Sequence, residues 1–364
     1  MQFASLLALA VLPLAAAAQV PAAPDSVATP RPLTYYAYVD GYYGYDFGHA
    51  NGNERQPFLY SHSRQNEFSV NQALLGVRYD NGRVRGTVAL HSGSYPAANY
   101  ANEDPTLRHL YEAYAGFRPC AKAWLDVGVF SSHIGFESAL SKDSWTLTRS
   151  LSAENSPYYE AGARLTYEVG PKLTLTALVL NGWQNIRETN QGKALGTQLQ
   201  WKPTAKLLLN SSTFYGNEQP TGLAIRRRYF HDFYLSYAAT NRVKLALVFD
   251  VGKQQRETAG QYDTWHTAAA FLQYKLAERV STTLRGEYYY AERGVIIKDI
   301  SPVATNANFR VAGGSLNLDY APATNVLVRL EGRYLNGATG VFARADNPLN
   351  HSYGNLTSSI ALSF

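Results

Sequence analysis

A hydrolase hidden in this chain would have to gather its groups from two places. His133, Asp143 and Ser144 are the residue types of a base, an orienting carboxylate and a nucleophile, and His231 stands beside Asp232. Nucleophilic catalysis needs such groups to converge, and neither set has a diagnostic spacing. The sequence contains no G-x-S-x-G elbow, no phosphate-binding loop with its lysine and no H-E-x-x-H pair. An enzyme is therefore not expected, nor a cofactor. The eight histidines are dispersed singly, which gives no ligand spacing for a transition metal. Glu103-Asp104 is the kind of exposed pair that could take calcium, with no second signal beside it. The single cysteine, Cys120, rules out an intrachain disulfide. The net charge of +5 is scattered in sign along the chain, so no clustered basic stripe suggests a nucleic-acid partner.

A second set of charges follows a rule. Arg329, Glu331 and Arg333 alternate with Val326, Val328, Leu330 and Tyr334. Glu160, Arg164, Thr166 and Glu168 oppose Tyr159, Ala161, Ala163, Leu165, Tyr167 and Val169. Leu356, Ile360, Leu362 and Phe364 share one face of the last segment, against Asn355, Thr357, Ser359 and Ser363. This period of two is the half-buried strand pattern, and it runs longer than a soluble strand usually does. Only 17% of residues are charged, against roughly 25% in a typical soluble protein. Aromatics reach 13%, mostly the 27 tyrosines.

The connections decide between a sandwich and a barrel. Tight turns fall at 80–82, 119–122, 170–171, 202–204, 238–241, 276–279 and 321–325. Longer polar stretches lie between them, at 49–63, 94–106, 133–157, 184–191, 216–224, 253–262, 293–307 and 337–350. Short turns on one side and long loops on the other are the layout of an outer-membrane barrel. The expected fold is all-β: a closed antiparallel transmembrane barrel of about sixteen strands over residues 34–364. Fourteen is the alternative, because the segments around Leu107 and Ala194 are weakly patterned. Residues 1–18 read as a signal peptide, an Ala/Leu run ending in Ala16-Ala17-Ala18, although no Lys or Arg precedes it. Residues 19–33 hold Pro21, Pro24, Pro30 and Pro32 and read as a periplasmic linker. Tyrosines near strand ends, such as Tyr35, Tyr36, Tyr42, Tyr158, Tyr159, Tyr237, Tyr274, Tyr289 and Tyr320, are expected to contribute to two aromatic girdles.

If Leu, Val and Tyr meet lipid, the opposite residues line the lumen. They include Arg85, Glu112, Asp126, Glu160, Arg164, Arg285, Glu287, Arg329, Glu331 and Arg333. In lipid each charge would cost about 2–4 kcal/mol at the midplane, which fixes the facing. These charges either select solutes or simply pair across neighbouring strands. The loop 133–157 is the longest connection. It carries Phe136, Leu140, Trp145, Leu147 and Leu151, together with the charged candidates Glu137, Lys142, Asp143, Arg149 and Glu154. So much apolar side chain favours a fold-back into the lumen as a constriction; an outward ligand-binding loop and an interstrand or lid structure are the other readings. Arg226-Arg227-Arg228 opens a strand and suits either a solvated rim or contact with lipid phosphate.

Several motifs carry a family resemblance. They are Asn66-Glu67-Phe68, Ala73-Leu74-Leu75-Gly76, Tyr111-Glu112-Ala113, His133 to Ala139, Trp145 to Ser150, Ala153 to Gly162 and Leu180 to Gln184. Together they resemble the beta-barrel porin-2 family of Gram-negative outer membranes, from about Tyr35 to Phe364. The terminal Phe364 also resembles the C-terminal signal of such barrels. The resemblance implies a porin-like barrel in the bacterial outer membrane and supplies no catalytic residues. The expected function is passive diffusion of small hydrophilic solutes, with outer-membrane lipid around the barrel and a homo-oligomer such as a trimer as a further expectation. The alternative is a non-conducting barrel that acts through its loops as a receptor, adhesin or anchor.

Overall fold

The computed structural model describes residues 32–48, 52–258, 260–297, 308–344 and 350–364. The expected signal peptide and nearly all of the linker lie outside the described residues. From Leu33 the chain forms sixteen antiparallel strands that close on themselves. In order they are β1 (Leu33–Asp46), β2 (Phe68–Asp80), β3 (Val84–Ser92), β4 (Leu110–Cys120), β5 (Ala123–Ser131), β6 (Tyr159–Gly170), β7 (Leu173–Leu180) and β8 (Ala194–Thr204). Then follow β9 (Leu207–Asn217), β10 (Arg227–Ala238), β11 (Val243–Gln255), β12 (Tyr262–Ala277), β13 (Val280–Ala291), β14 (Phe309–Ala323), β15 (Val326–Gly337) and β16 (Ser352–Ser363). Every strand pairs with its sequence neighbours, and β1 pairs with β16 from Tyr38↔Ser363 to Asp46↔Asn355. The weakly patterned region at Leu107 is a single 3-10 turn leading into β4, and Ala194 opens β8, so the count is sixteen.

Two kinds of connection separate the ends. At one end two to four residues join the strands; β2 turns into β3 through Asn81, Gly82 and Arg83. There Asp80 Oδ1 accepts from the Gly82 N–H, Asn81 Oδ1 accepts from the N–H groups of Arg83 and Val84, and Gly82 takes φ +80°. Side-chain acceptors and a residue free of Cβ are what so tight a reversal requires. The other end carries the long loops, including two short helices, α1 (Ser94–Asn99) and α2 (Leu151–Glu154).

Alternation sorts the side chains. Leu75, Val88, Leu316 and Ile360 point outward, with Leu75 65% and Ile360 60% exposed. An apolar band of this kind, with no edge strand, suits hydrocarbon. At the short-turn end Tyr35, Tyr79, Tyr167, Trp201, Tyr237, Tyr274 and Tyr320 are also exposed, as a girdle would be. The same alternation turns Tyr42, Tyr158, Tyr159 and Tyr289 into the protein, where they are buried, so these do not join the girdles. A ring of sixteen strands is too wide for wall side chains alone to fill. Its buried core therefore lies in the lumen, where Phe58 and Leu59 of the first loop and Leu151 of α2 pack with wall residues such as Phe130, Phe214, Trp265 and Phe309.

Candidate functional site

Between β5 and β6 the chain turns inward. At its root the His133 imidazole lies 2.8 and 2.9 Å from the two oxygens of Glu160 through Nδ1, and 2.9 Å from the Thr213 carbonyl through Nε2. Both ring nitrogens face acceptors, so only the imidazolium donates to both. Burial alone would lower the pKa of His133; the Glu160 carboxylate beside it reverses this, and the net shift is upward. Gly196 makes room for the ring, since a Cβ there would come within 2.8 Å of Nε2. The His133 carbonyl also accepts from Gln198 Nε2 and Ser212 Oγ, both at 2.8 Å.

The loop then crosses to the far wall, because β13 stands half-way round the ring from β5. The Leu147 N–H donates to Asn317 Oδ1 at 3.0 Å, Thr148 N–H to Glu331 at 2.5 Å and Leu151 N–H to Glu287 at 2.8 Å. In return Arg285 donates to the Thr148 carbonyl at 2.6 Å, and Arg329 donates to the carbonyls of Ser141 and Ser144. Ser150 caps α2, its Oγ accepting from the Ala153 N–H at 3.3 Å, while Ser152 and Thr267 share a hydroxyl hydrogen bond. Wall charges thus do the work that backbone pairing would do in a sheet, satisfying the polar groups of an irregular buried segment.

The five charged loop candidates divide. Glu137, Arg149 and Glu154 are buried: Glu137 accepts from the Ser150 N–H and hydroxyl, Glu154 from Tyr60 and Ser61 of the first loop. Burial pushes the Glu137 carboxyl up, against the pull of nearby Arg285. Arg149 lies between the faces of Tyr95 and Tyr158, 4.1 and 4.4 Å from their centroids. Lys142 and Asp143 pair with each other at 2.9 Å and remain accessible. His133, Asp143 and Ser144 form no triad, since His133 is engaged by Glu160; His231 faces outward to Ser211, and Asp232 faces in toward Asn210.

All ten wall candidates lie on inward-facing strand positions. Arg285 bonds Glu331 at 2.9 Å, Arg333 bonds Glu287 at 2.7 and 2.9 Å, and Arg329 bonds Asp319 at 2.8 Å, all beneath the loop. Arg85 and Arg164 flank Asp126 on the opposite wall and keep about a fifth of their side-chain surface open. Glu112 accepts from Ser131 Oγ at 2.6 Å. The Arg226-Arg227-Arg228 run is split by alternation: Arg227 stacks outward near Tyr215, and Arg228 sits inside over Trp183.

Two depressions lie at the two ends of the barrel. One, of about 530 Å³ at the loop end, is bordered by Asn99, Glu154, Trp183, Gln184 and Arg228. The other, of about 770 Å³ at the short-turn end, is bordered by Trp145, Lys202, Ser236 and Lys244. Strand β10 is a ruler between them: Arg228 marks the first and Ser236 the second, about 26 Å apart at the usual strand rise. Between lies Tyr234, packed with Phe136, which also touches Trp145 and Phe271 at centroid distances of 5.3–5.6 Å. The loop thus meets this wall through aromatic rings, while its charges serve mostly as anchors.

Sequence reasoning missed the first loop. Residues 49–63 read as an ordinary polar connection, yet Arg55 bonds Asp46 at 3.0 Å and Thr357 at 2.8 Å inside the barrel. His62 lies 3.0 Å from Asp40, and Ser61 bonds Glu154 of the third loop. The Phe58-Leu59 pair in an otherwise polar stretch was the available signal.

A family model described as "Putative beta-barrel porin-2, OmpL-like" matches residues 32–364. The chain belongs to this family. No curated protein matches the sequence. Among solved structures, the chain is similar to an outer-membrane-expressed OmpT of Vibrio cholerae, with TM-score 0.60 and 10% identity over 91% of this chain and 97% of that one. It is similar also to an anion-selective porin from Comamonas acidovorans (TM-score 0.59, 9% identity, 91% and 99% covered). A third is Salmonella typhi OmpF in complex with daunomycin (TM-score 0.58, 14% identity, 91% and 97% covered). At these identities the likeness is one of fold. For a member of this porin family, the barrel, its outward apolar band and its inward loop have a common rationale.

Proposed function

We propose that the protein is a bacterial outer-membrane porin through which small hydrophilic solutes diffuse passively. The short turns face the periplasm after export, the long loops face outside, and lipid surrounds the apolar band. The observation that carries this reading is the pair of depressions at the two ends of the barrel, with the aromatic contact of the third loop and the packed side chains of the lumen between them. A receptacle on each side of a loop-borne constriction is the arrangement of a pore whose width is set by a loop rather than by the barrel. The ion pair Lys142–Asp143 and the Arg85–Asp126–Arg164 cluster are among the charges within reach of a passing solute. Assembly into a homo-oligomer, a trimer by the example of the in-vitro folded Vibrio cholerae OmpT, belongs to the same proposal.

Single-channel current in a planar bilayer tests the proposal, with the intact chain and with 133–157 shortened. Steady current that rises on shortening supports a pore narrowed by this loop. Silence from both proteins, with folded barrels, overturns it. That result favours the second reading, a non-conducting receptor or anchor, for which the observation is the close aromatic packing of Phe136 on Tyr234 and Phe271.

A further inference from the structure

The two mouths of the barrel treat their basic residues differently. At the loop end the arginines around a smaller depression are neutralised: Arg226 pairs with Glu257, Arg256 and Arg293 both pair with Asp263, and Arg228 lies 3.8 Å from Glu218. At the short-turn end Lys172, Lys202, Lys206 and Lys244 border the 770 Å³ basin beneath Trp145. Among the described residues none of these four has a carboxylate within ion-pair distance. The turn residues 170–173, 202–207 and 238–244 contain no Asp or Glu, and they add Arg242.

Position makes this more than a basic surface. Lys202 continues the inward series Gln198, Gln200, and Lys244 precedes the inward Ala246 and Val248, so strand parity directs both toward the lumen and away from lipid headgroups. The wall above them is neutral and polar, with Gln200 donating to the Tyr234 hydroxyl at 3.3 Å and Asn210 accepting from Gln198 at 3.0 Å. The roof is Trp145, partly accessible and held in place by Phe136 and Phe271. Unpaired ammonium groups around a concave surface with low-dielectric walls concentrate anions. Each Lys offers three rotatable donors to an oxyanion, and the indole offers an apolar face to its carbon skeleton.

We propose that this basin is a binding site for small oxyanions, phosphate or carboxylate, and makes the pore prefer anions at its periplasmic mouth. This deepens the porin reading and rests on it for the selectivity, while binding in the basin requires no open path. Two measurements separate the parts. In a bilayer with a potassium chloride gradient, the wild type should reverse on the chloride side. The triple variant K202Q/K206Q/K244Q should lose that preference, and phosphate added at the short-turn side should block the wild type alone. Current with a cation preference, or a chloride preference unchanged in the triple variant, overturns the inference and leaves the pore standing. If no current flows, the pore reading fails and the basin is judged in detergent without lipid. There the fluorescence of Trp145, taken as the difference between wild type and W145F, should be quenched more by iodide than by caesium. The iodide quenching constant should fall about threefold in the triple variant at low salt, and phosphate should protect. Equal quenching by both ions, or no change in the variant, overturns the site.

Discussion

Arg285 of β13 holds Glu331 of β15 at 2.9 Å while its other terminal nitrogen donates to the Thr148 carbonyl of the third loop at 2.6 Å. One guanidinium thus ties two wall strands to the segment that crosses between them. R285M removes the cation and leaves Glu331 buried without it, a loss of about 3–5 kcal/mol for one partner of a buried pair. The sheet itself does not depend on the pair. The expected outcome is a barrel that still migrates as folded in detergent but is cut by trypsin at Lys142 and Arg149, where the wild type resists.

The root of the loop should respond to pH. His133 has a raised pKa in the folded state, so its charged form is favoured there relative to an unfolded His near 6.5. The resulting stabilisation is fully present below that unfolded value and is lost as pH rises through the higher folded value. Glu160 is the group that faces it, with Asp232 contributing attraction from β10. Proteolysis of 133–157 should therefore speed up on moving from slightly acid to alkaline buffer. In H133Q the rate should be higher and nearly independent of pH over that window.

Crowding provides a test free of charge. A side chain at Gly196 would meet the His133 ring, so G196V should displace it at a cost of about 1–3 kcal/mol. Thermal unfolding of G196V, H133Q and the double variant should be clearly non-additive, because both changes break one contact.

On the near wall, Asp126 is the shared acceptor of Arg85 and Arg164. D126N leaves two guanidiniums side by side with a neutral partner, and each weakened charge-assisted bond is worth about 1.5–3 kcal/mol. The melting temperature should fall and the reversal potential should move further toward chloride. D126N with R85Q should restore most of the stability.

The wall was legible in the sequence because hydrocarbon and water impose a period of two on every strand. Arg329, Glu331 and Arg333 could face only inward, and the tight turns at 80–82 and 170–171 fixed which end was which. The interior was harder to read. Whether Tyr289 belongs to a girdle or packs on Phe309 depends on a one-residue parity that strand-end position alone does not reveal. Nor does periodicity describe loops: Arg55, His62 and Glu154 act across the lumen on partners from 9 to 302 positions away. The third loop announced itself through Trp145 and its leucines, but the role of its charges as anchors required the opposite wall to be in place.

The seam between β1 and β16 is what leaves the sheet without an edge. The Ala37 N–H donates to the Phe364 carbonyl at 2.6 Å and the Phe364 N–H returns a bond to the Ala37 carbonyl at 3.0 Å. These bonds join β16, the last of the sixteen strands, to β1, the first. Without that pairing both flanks of the sheet stay unpaired, and hydrocarbon tolerates neither. A chain arrested short of its final strand would be an open ribbon and a template for aggregation rather than a smaller barrel. Closure is a long-range contact, between strands separated by the whole length of the sheet.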